Sequence, residues 1–159
     1  MKTSDFNYLL PEDLIANYPL DDRSASRLLV FQEVIEHKLF KDILDSFEEG
    51  DLLVINNTSV IPARIFGNKE SGGAVEVMLE RVMEDNKALV QIKSGRSPKV
   101  GTLITLGAYE AKCIGREGMF FILKFNEEPL NIFNNIGHIP LPPYIKRQDE
   151  DLDKERYGT

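Results

Sequence analysis

V-E-V-M-L-E-R-V (residues 75–82), E-D-N (84–86) and K-A-L-V-Q-I-K (87–93) read as two strands joined by a tight turn, and this reading decides the fold. Val75, Val77 and Leu79 alternate with Glu76, Met78 and Glu80, the period of a strand with one buried face. Four more runs of the same kind flank them: V-I-P-A-R-I-F (60–66), T-L-I-T-L (102–106), Y-E-A-K-C-I-G-R (109–116) and M-F-F-I-L-K-F (119–125). The breaks carry turn chemistry, namely G-N-K-E-S-G-G (67–73), S-G-R-S-P-K-V-G (94–101), L-G-A (106–108) and R-E-G (116–118). Connections this short favour antiparallel neighbours. Six short antiparallel strands hide their edges by closing into a small barrel.

The flanks read differently. Pro11, Glu12 and Asp13 suit a helix start, and residues 14–16 extend it by a turn or two before Tyr18-Pro19. R-L-L-V-F (27–31) reads as a buried strand. Leu39, Ile43, Leu44 and Phe47 then fall at helical spacing, and Gly50 stops the helix. Residues 52–55 read as a second buried strand, and strand, helix, strand begins an α/β layer. After the barrel, Leu130, Phe133 and Ile136 share one face of a short helix ended by Gly137. H-I-P-L-P-P-Y-I-K-R (138–147) is stiff and extended, because Pro140, Pro142 and Pro143 fix φ and restrict their predecessors. The tail from Gln148 reads as a solvated helix start with little to bury.

The 159 residues carry 19 Lys plus Arg against 26 Asp plus Glu, a net charge of −7, which argues against a protein that simply coats nucleic acid. A local basic patch stays open. With 42% hydrophobic and 28% charged residues the balance is globular rather than disordered. No apolar run approaches the roughly 20 residues of a membrane-spanning helix. Acidic residues occupy the place of a signal peptide's apolar stretch, so secretion is not expected and a cytoplasmic site is. One cysteine, Cys113, excludes an intrachain disulfide and a Cys-based zinc cluster, and two histidines, His37 and His138, exclude a His-rich metal site.

Several residues could carry chemistry, each with a plainer reading beside it. Arg23, Ser26 and Arg27 in D-R-S-A-S-R suit an anion or a ribose, or form a capped loop. Asn56 and Thr58 follow a strand, where ligands of α/β sheets sit, or form an Asx turn. Arg64 lies among Ile61, Ala63, Ile65 and Phe66. It points to solvent, pairs with a carboxylate such as Glu76, or holds a ligand. K-E-S-G-G (69–73) lacks the context of a phosphate loop and reads as a hairpin turn. Lys93, Arg96 and Lys99 crowd one loop, a candidate phosphate-backbone contact or a solvated surface. Cys113 reads as core. His138 reads as a proton carrier or, with more weight, a cap on a helix C-terminus.

Taken together, D-F-N-Y-L-L-P-E-D-L-I-A (5–16), R-S-A-S-R-L-L-V (23–30), G-D-L-L-V-I-N-N-T (50–58), V-I-P-A-R-I-F-G-N-K (60–69), G-G-A-V-E-V-M-L (72–79), G-H-I-P-L-P-P-Y-I-K-R (137–147) and D-K-E-R-Y-G-T (153–159) resemble, in order and spacing, the S-adenosylmethionine:tRNA ribosyltransferase-isomerases of queuosine biosynthesis. The resemblance covers the whole sequence, and G-H-I-P-L-P-P-Y-I-K-R is its strongest piece. Ser59 departs from it, since the family usually has a basic residue there, which puts any anion contact from that position in doubt. Family members are roughly twice as long. The resemblance therefore implies an N-terminal portion: the first part of a larger α/β domain (1–60), an inserted barrel (61–127) and a truncated return to the α/β domain (128–159).

The implied reaction transfers and isomerises the ribosyl part of S-adenosylmethionine onto 7-aminomethyl-7-deazaguanine in the tRNA anticodon. It gives epoxyqueuosine and releases adenine and methionine. S-adenosylmethionine is here a substrate, and no metal or other cofactor is implied. The expected partners are tRNA and S-adenosylmethionine, the expected state is a monomer away from membranes, and residues 1–159 alone are expected to be inactive. A general base must reach the hydrogen on C5′, which the sulfonium acidifies. That base is unassigned, with His138 and Tyr144 as the catalytic candidates. Arg23, Ser26, Arg27, Asn56, Thr58, Arg64 and Arg147 are the substrate-binding candidates, and Lys93, Arg96 and Lys99 those for tRNA. The competing reading is a non-catalytic RNA-binding β-barrel. A third, weaker one is a polyproline ligand at P-L-P-P-Y (140–144).

Overall fold

The computed structural model describes residues 1–158 and divides the chain into two compact units, residues 1–57 with 142–147, and residues 58–141 with 148 onward. In the first unit β1 (Arg27–Phe31) and β2 (Ile35–Leu39) form an antiparallel hairpin, with Arg27 opposite Leu39 and Phe31 opposite Ile35. The rest of this unit is 3-10 turns, at Thr3–Phe6, Glu12–Leu14, Arg23–Ala25 and Phe40–Ser46, and irregular backbone.

Three local expectations are corrected here. The strand at Arg27–Phe31 forms over the expected residues but is not buried: β2 is its strand partner, Leu28 and Val30 are half-buried, and Leu29 and Phe31 are exposed. Residues 52–55 form no strand and stand in solvent. A strand exists only through a ladder, and no strand of this unit pairs with them. The helical spacing from Leu39 is also divided. Leu39 closes β2, and only Phe40–Ser46 turns, as a 3-10 helix whose first turn is held by Leu39 N–H donating to Asp42 Oδ2 at 2.8 Å. Seven residues are too few to sustain an α-helix without packing. The expected strand-helix-strand layer is therefore absent from the described N-terminal residues.

The second unit is the barrel. Its strands are β3 (Arg64–Lys69), β4 (Ala74–Met83), β5 (Lys87–Ser94), β6 (Leu103–Leu106), β7 (Tyr109–Glu117) and β8 (Phe120–Phe125), closed in the order β3-β4-β5-β8-β7-β6 with every pair antiparallel. The alternation legible in β4 decides the faces. Val75 and Val77 point inward and are buried, while Glu76 lies on the outside. Tight turns fit the twist, since Asp85 and Asn86 take φ 56° and 51° in the turn that Lys87 N–H closes onto Glu84 O at 3.3 Å. Register shifts at Leu79/Arg81 and Cys113/Gly115 bend the two longest strands around the barrel.

Closure is the narrowest point of the sheet. β3 meets β6 through the ladder pairs Asn68↔Thr105 and Lys69↔Ile104, extended by Glu70 N–H donating to Leu103 O at 3.1 Å. Gly67 makes that approach possible, because a Cβ there would collide with the Thr105 carbonyl and the Leu106 side chain. The interior is filled by Ile65, Val77, Val90, Ile104, Leu106, Leu123 and Phe125, with Cys113 among them. Burial pushes the Cys113 thiol above its ordinary pKa, opposed by a backbone hydrogen bond of Gly115 and by the Arg116 charge, as suits a core residue rather than a nucleophile.

The expected short helix forms as α1 (Pro129–Ile136) and packs on the barrel through Ile132 and Phe133, with Phe133 edge-on to Phe125 at 6.2 Å. An eight-residue helix is unstable alone. Two fully buried side chains at about 1.5–3 kcal/mol each outweigh that deficit. The tail forms α2 (Asp151–Arg156), but the expectation that it buries little is corrected. Asp153 is 1% exposed, and its carboxylate accepts the Glu150 N–H at 2.7 Å.

Replacing Gly67 with alanine is expected to destabilise the barrel by about 1–3 kcal/mol, the usual scale of overpacking. Alanine at the open Gly95 should change stability little. Urea unfolding followed by far-ultraviolet circular dichroism distinguishes the two.

Candidate functional site

On the outer face of β3–β5 the register makes a row of side chains. Phe66 is opposite Glu76, and Glu76 is opposite Lys93. Arg64 lies two residues from Phe66 and so on the same face, diagonal to Glu76. Arg64 Nε is 3.2 Å from Glu76 Oε1, and Lys93 Nζ is 3.9 Å from Glu76 Oε2. The buried Nε approaches the carboxylate off its N–H axis, so the contact is an ion pair without a hydrogen bond at that nitrogen. Of the three readings open for Arg64, the structure shows the pairing with Glu76.

The same strand recruits His138. Gly137 ends α1 by donating its N–H to Phe133 O at 2.8 Å, and a Cβ there would strike both that carbonyl and the carbonyl of Pro62. The chain then runs beside β3. His138 N–H donates to Arg64 O at 2.7 Å and Arg64 N–H to His138 O at 3.2 Å. The His138 ring meets Phe66 edge-on at 5.2 Å, and its Nδ1 lies 2.9 Å from Asp149 Oδ1. Asp149 Oδ2 also accepts the Ile139 N–H at 3.1 Å. The reading of His138 as a helix cap is corrected, since Gly137 closes the helix and the ring turns to Asp149. His138 and Asp149 border a cleft of about 510 Å³ with Gly137, Glu150, Asp151 and Lys154.

A second cleft, of about 410 Å³, lies within the first unit. Tyr144 borders it and is exposed rather than core. Arg147 Nε donates to Asn17 O at 2.8 Å, and its guanidinium lies 4.3 Å from the centre of the Tyr18 ring. Lys146 Nζ pairs with Glu12 Oε1 at 2.5 Å. The cleft thus offers aromatic faces and a fixed cation.

The other candidates are dispersed. Arg23 stands in a 3-10 turn capped by Asp22, whose Oδ1 accepts from Ser24 N and Oγ at 2.8 and 2.7 Å, the capped-loop arrangement. Ser26 follows that turn, Arg27 starts β1, and all three are exposed. Asn56 and Thr58 are exposed and follow no strand, since residues 52–55 form none. K-E-S-G-G is the β3–β4 hairpin turn, closed by Lys69 N–H to Gly73 O at 2.9 Å. Lys93, Arg96 and Lys99 are exposed at the end of β5 and in the loop after it. Lys69 Nζ ties that loop down by donating to Arg96 O at 2.7 Å. Among the described residues, no group of three or more His, Cys, Asp or Glu is placed to hold a metal, and no helix is long and apolar enough to cross a membrane.

Asp149 was not legible as a site residue. It sits in the acidic run D-E-D (149–151), which reads as solvent-facing. Its role appears only when the proline-stiffened segment brings it back to His138, eleven residues earlier.

Because Glu76 matches the Arg64 charge, Arg64→Lys in the full-length protein is expected to lower the thermal midpoint by a few degrees, for a loss of about 1 kcal/mol. An unchanged midpoint would return Arg64 to the solvent-facing or ligand-holding reading.

Comparison with known proteins bears on the whole chain. The model of the family described as "Queuosine biosynthesis protein" matches residues 3–159. Among solved structures, the chain is similar to S-adenosylmethionine tRNA ribosyltransferase from Thermotoga maritima, with 35% identity, 85% of this chain and 49% of that chain covered, and a TM-score of 0.44. The chain thus spans about half the length of that relative. A family match that runs from the third residue to the last covers the N-terminal unit, the barrel and the segment after it, and the chain belongs to the queuosine biosynthesis protein family.

Proposed function

We propose that the chain serves an S-adenosylmethionine:tRNA ribosyltransferase-isomerase that builds epoxyqueuosine on the 7-aminomethyl-7-deazaguanine of a tRNA anticodon. The observation that carries this reading is the family match over residues 3–159, and the 35% identity to a ribosyltransferase supports it. The proposed enzyme works in the cytoplasm as a monomer and needs no bound cofactor, because the sulfonium of its substrate supplies the activation.

Three demands of the reaction can be set against the residues present. Carbon C5′ must lose a proton, the acceptor amine must be neutral to attack, and adenine must leave with a proton or a hydrogen bond. The His138 ring beside Asp149 is a group suited to accept and return a proton near neutral pH. The cleft of Tyr144, Tyr18 and Arg147 suits a planar base or a sulfonium, through stacking and ring-face electrostatics. Arg23, Ser26, Arg27, Asn56 and Thr58 are kept as substrate-binding proposals with their exposed hydroxyl, amide and guanidinium groups. Lys93, Arg96 and Lys99 are proposed to contact tRNA phosphates.

The alternative, a barrel that binds RNA without catalysis, asks for a basic outer face. Part of the positive charge of this barrel is instead matched by carboxylates, since Arg64 and Lys93 share Glu76 and Lys87 pairs with Asp85. The Lys87 ammonium holds the Asp85 carboxyl below its usual pKa, first by hydrogen bonding and then by charge.

The full-length protein, given S-adenosylmethionine and tRNA carrying the 7-aminomethyl base, is expected to release adenine and methionine in step with ribosyl incorporation. Chromatography of the products reads this directly. Binding of tRNA without adenine release would favour the RNA-binding barrel. Replacing Lys93, Arg96 and Lys99 with alanine is expected to reduce the log–log salt dependence of tRNA binding by roughly 0.7–0.9 for each phosphate no longer neutralised. An unchanged slope would make that loop a solvated surface.

A further inference from the structure

We propose that Asp149 is a positioning residue that fixes the His138 ring as its Nδ1–H tautomer and leaves Nε2 as the proton acceptor of the cleft bordered by Gly137 and α2. This rests on the ribosyl-transfer reading for the identity of the proton donor, but not for the tautomer. The Asp149 side chain is 11% exposed, and its carboxylate is held from two sides, by Nδ1 at 2.9 Å and by the Ile139 N–H at 3.1 Å. An ionised carboxylate only accepts hydrogen bonds, so Nδ1 must donate, and a neutral ring then carries its lone pair on Nε2. Among the described residues Nε2 has no hydrogen-bond partner, and the side chain is 43% exposed. Two backbone hydrogen bonds to Arg64 fix the His138 main chain, and the ring packs against Phe66 with the two planes inclined at 62°.

Around the ring, Asp149, Glu150 and Asp151 border the cleft with Lys154, which pairs with Asp151 at 3.1 Å, and on the barrel side Arg64 is paired with Glu76. In the step assigned to this ring, a C5′–H bond next to the sulfonium breaks and its electron pair stays on carbon as a sulfur ylide. The proton forms an N–H bond at Nε2, giving an imidazolium whose other proton remains on Nδ1 toward Asp149.

Long-range ¹H–¹⁵N spectra of the full-length protein read the tautomer, with His37→Gln used to assign the two histidines. The expected result is Nδ1–H for His138 and loss of that preference in Asp149→Asn. In the same variant kcat should fall by about 10²-fold or more while the KM for S-adenosylmethionine holds. Asp149→Glu should restore part of the rate. An Nε2–H tautomer in the unaltered protein, or a tautomer and a kcat that Asp149→Asn leaves unchanged, overturns the proposal. If the tautomer is as expected but the unaltered protein releases no adenine, the ribosyl-transfer reading fails and the positioning of His138 by Asp149 stands.

Discussion

The closure of β3 on β6 is the constraint on which the rest of the second unit depends. Six short strands carry two free edges until that seam forms, and the seam is short: two ladder pairs, Asn68↔Thr105 and Lys69↔Ile104, with the Glu70 N–H to Leu103 O bond beside them. Gly67 lets the strands approach there. Once closed, the sheet has a filled interior from Ile65 to Phe125 and an outer face on which neighbouring strands align their side chains. The Phe66–Glu76–Lys93 row is a product of register, which the inward alternation of the strands and their hairpin turns set.

The candidate site uses the first residue of that same strand. Arg64 is joined to β4 through its side chain and to His138 through its backbone. A shift of β3 would therefore move the imidazole. The segment after α1 is short of conformational freedom, with prolines at 140, 142 and 143 and a glycine at 137 that tolerates no side chain. Stiffness there costs little entropy on folding and holds Asp149 within reach of His138. The site is thus assembled from backbone constraints first and charges second, which suits a group that must keep one tautomer and one orientation.

What could be read from the sequence follows from how local each interaction is. The barrel was legible because its signals are local: alternation in Val75, Val77 and Leu79, and turn chemistry at Asp85-Asn86 and Gly118. The pairing of Arg64 with Glu76 was legible as one of three readings, since adjacent strands of a hairpin make it a near neighbour. Strand 52–55 was misread because an apolar run reports the tendency to be buried, while a ladder needs a partner that the run does not encode. β2 was missed because Ile35, His37 and Leu39 lack a strongly apolar face, and the hairpin around residues 32–34 lacks glycine. Asp149 was missed because its partner lies across a fold of the chain, and because an acid in an acidic run looks solvated. The same applies to Asp153, whose burial depends on a cap rather than on hydropathy.

The central claim is that barrel closure and the candidate site form one cooperative structure. Native-state amide hydrogen exchange tests it most directly, because it reports the opening free energy of individual N–H groups. The Arg64 and His138 amides, which bond each other's carbonyls, should exchange with the same opening free energy as interior amides such as Val77 and Leu123. They should also follow them in their dependence on denaturant. If the Arg64 and His138 amides instead open at low free energy and without denaturant dependence while the barrel amides stay protected, the site is a frayed appendage of the barrel and the account is contradicted.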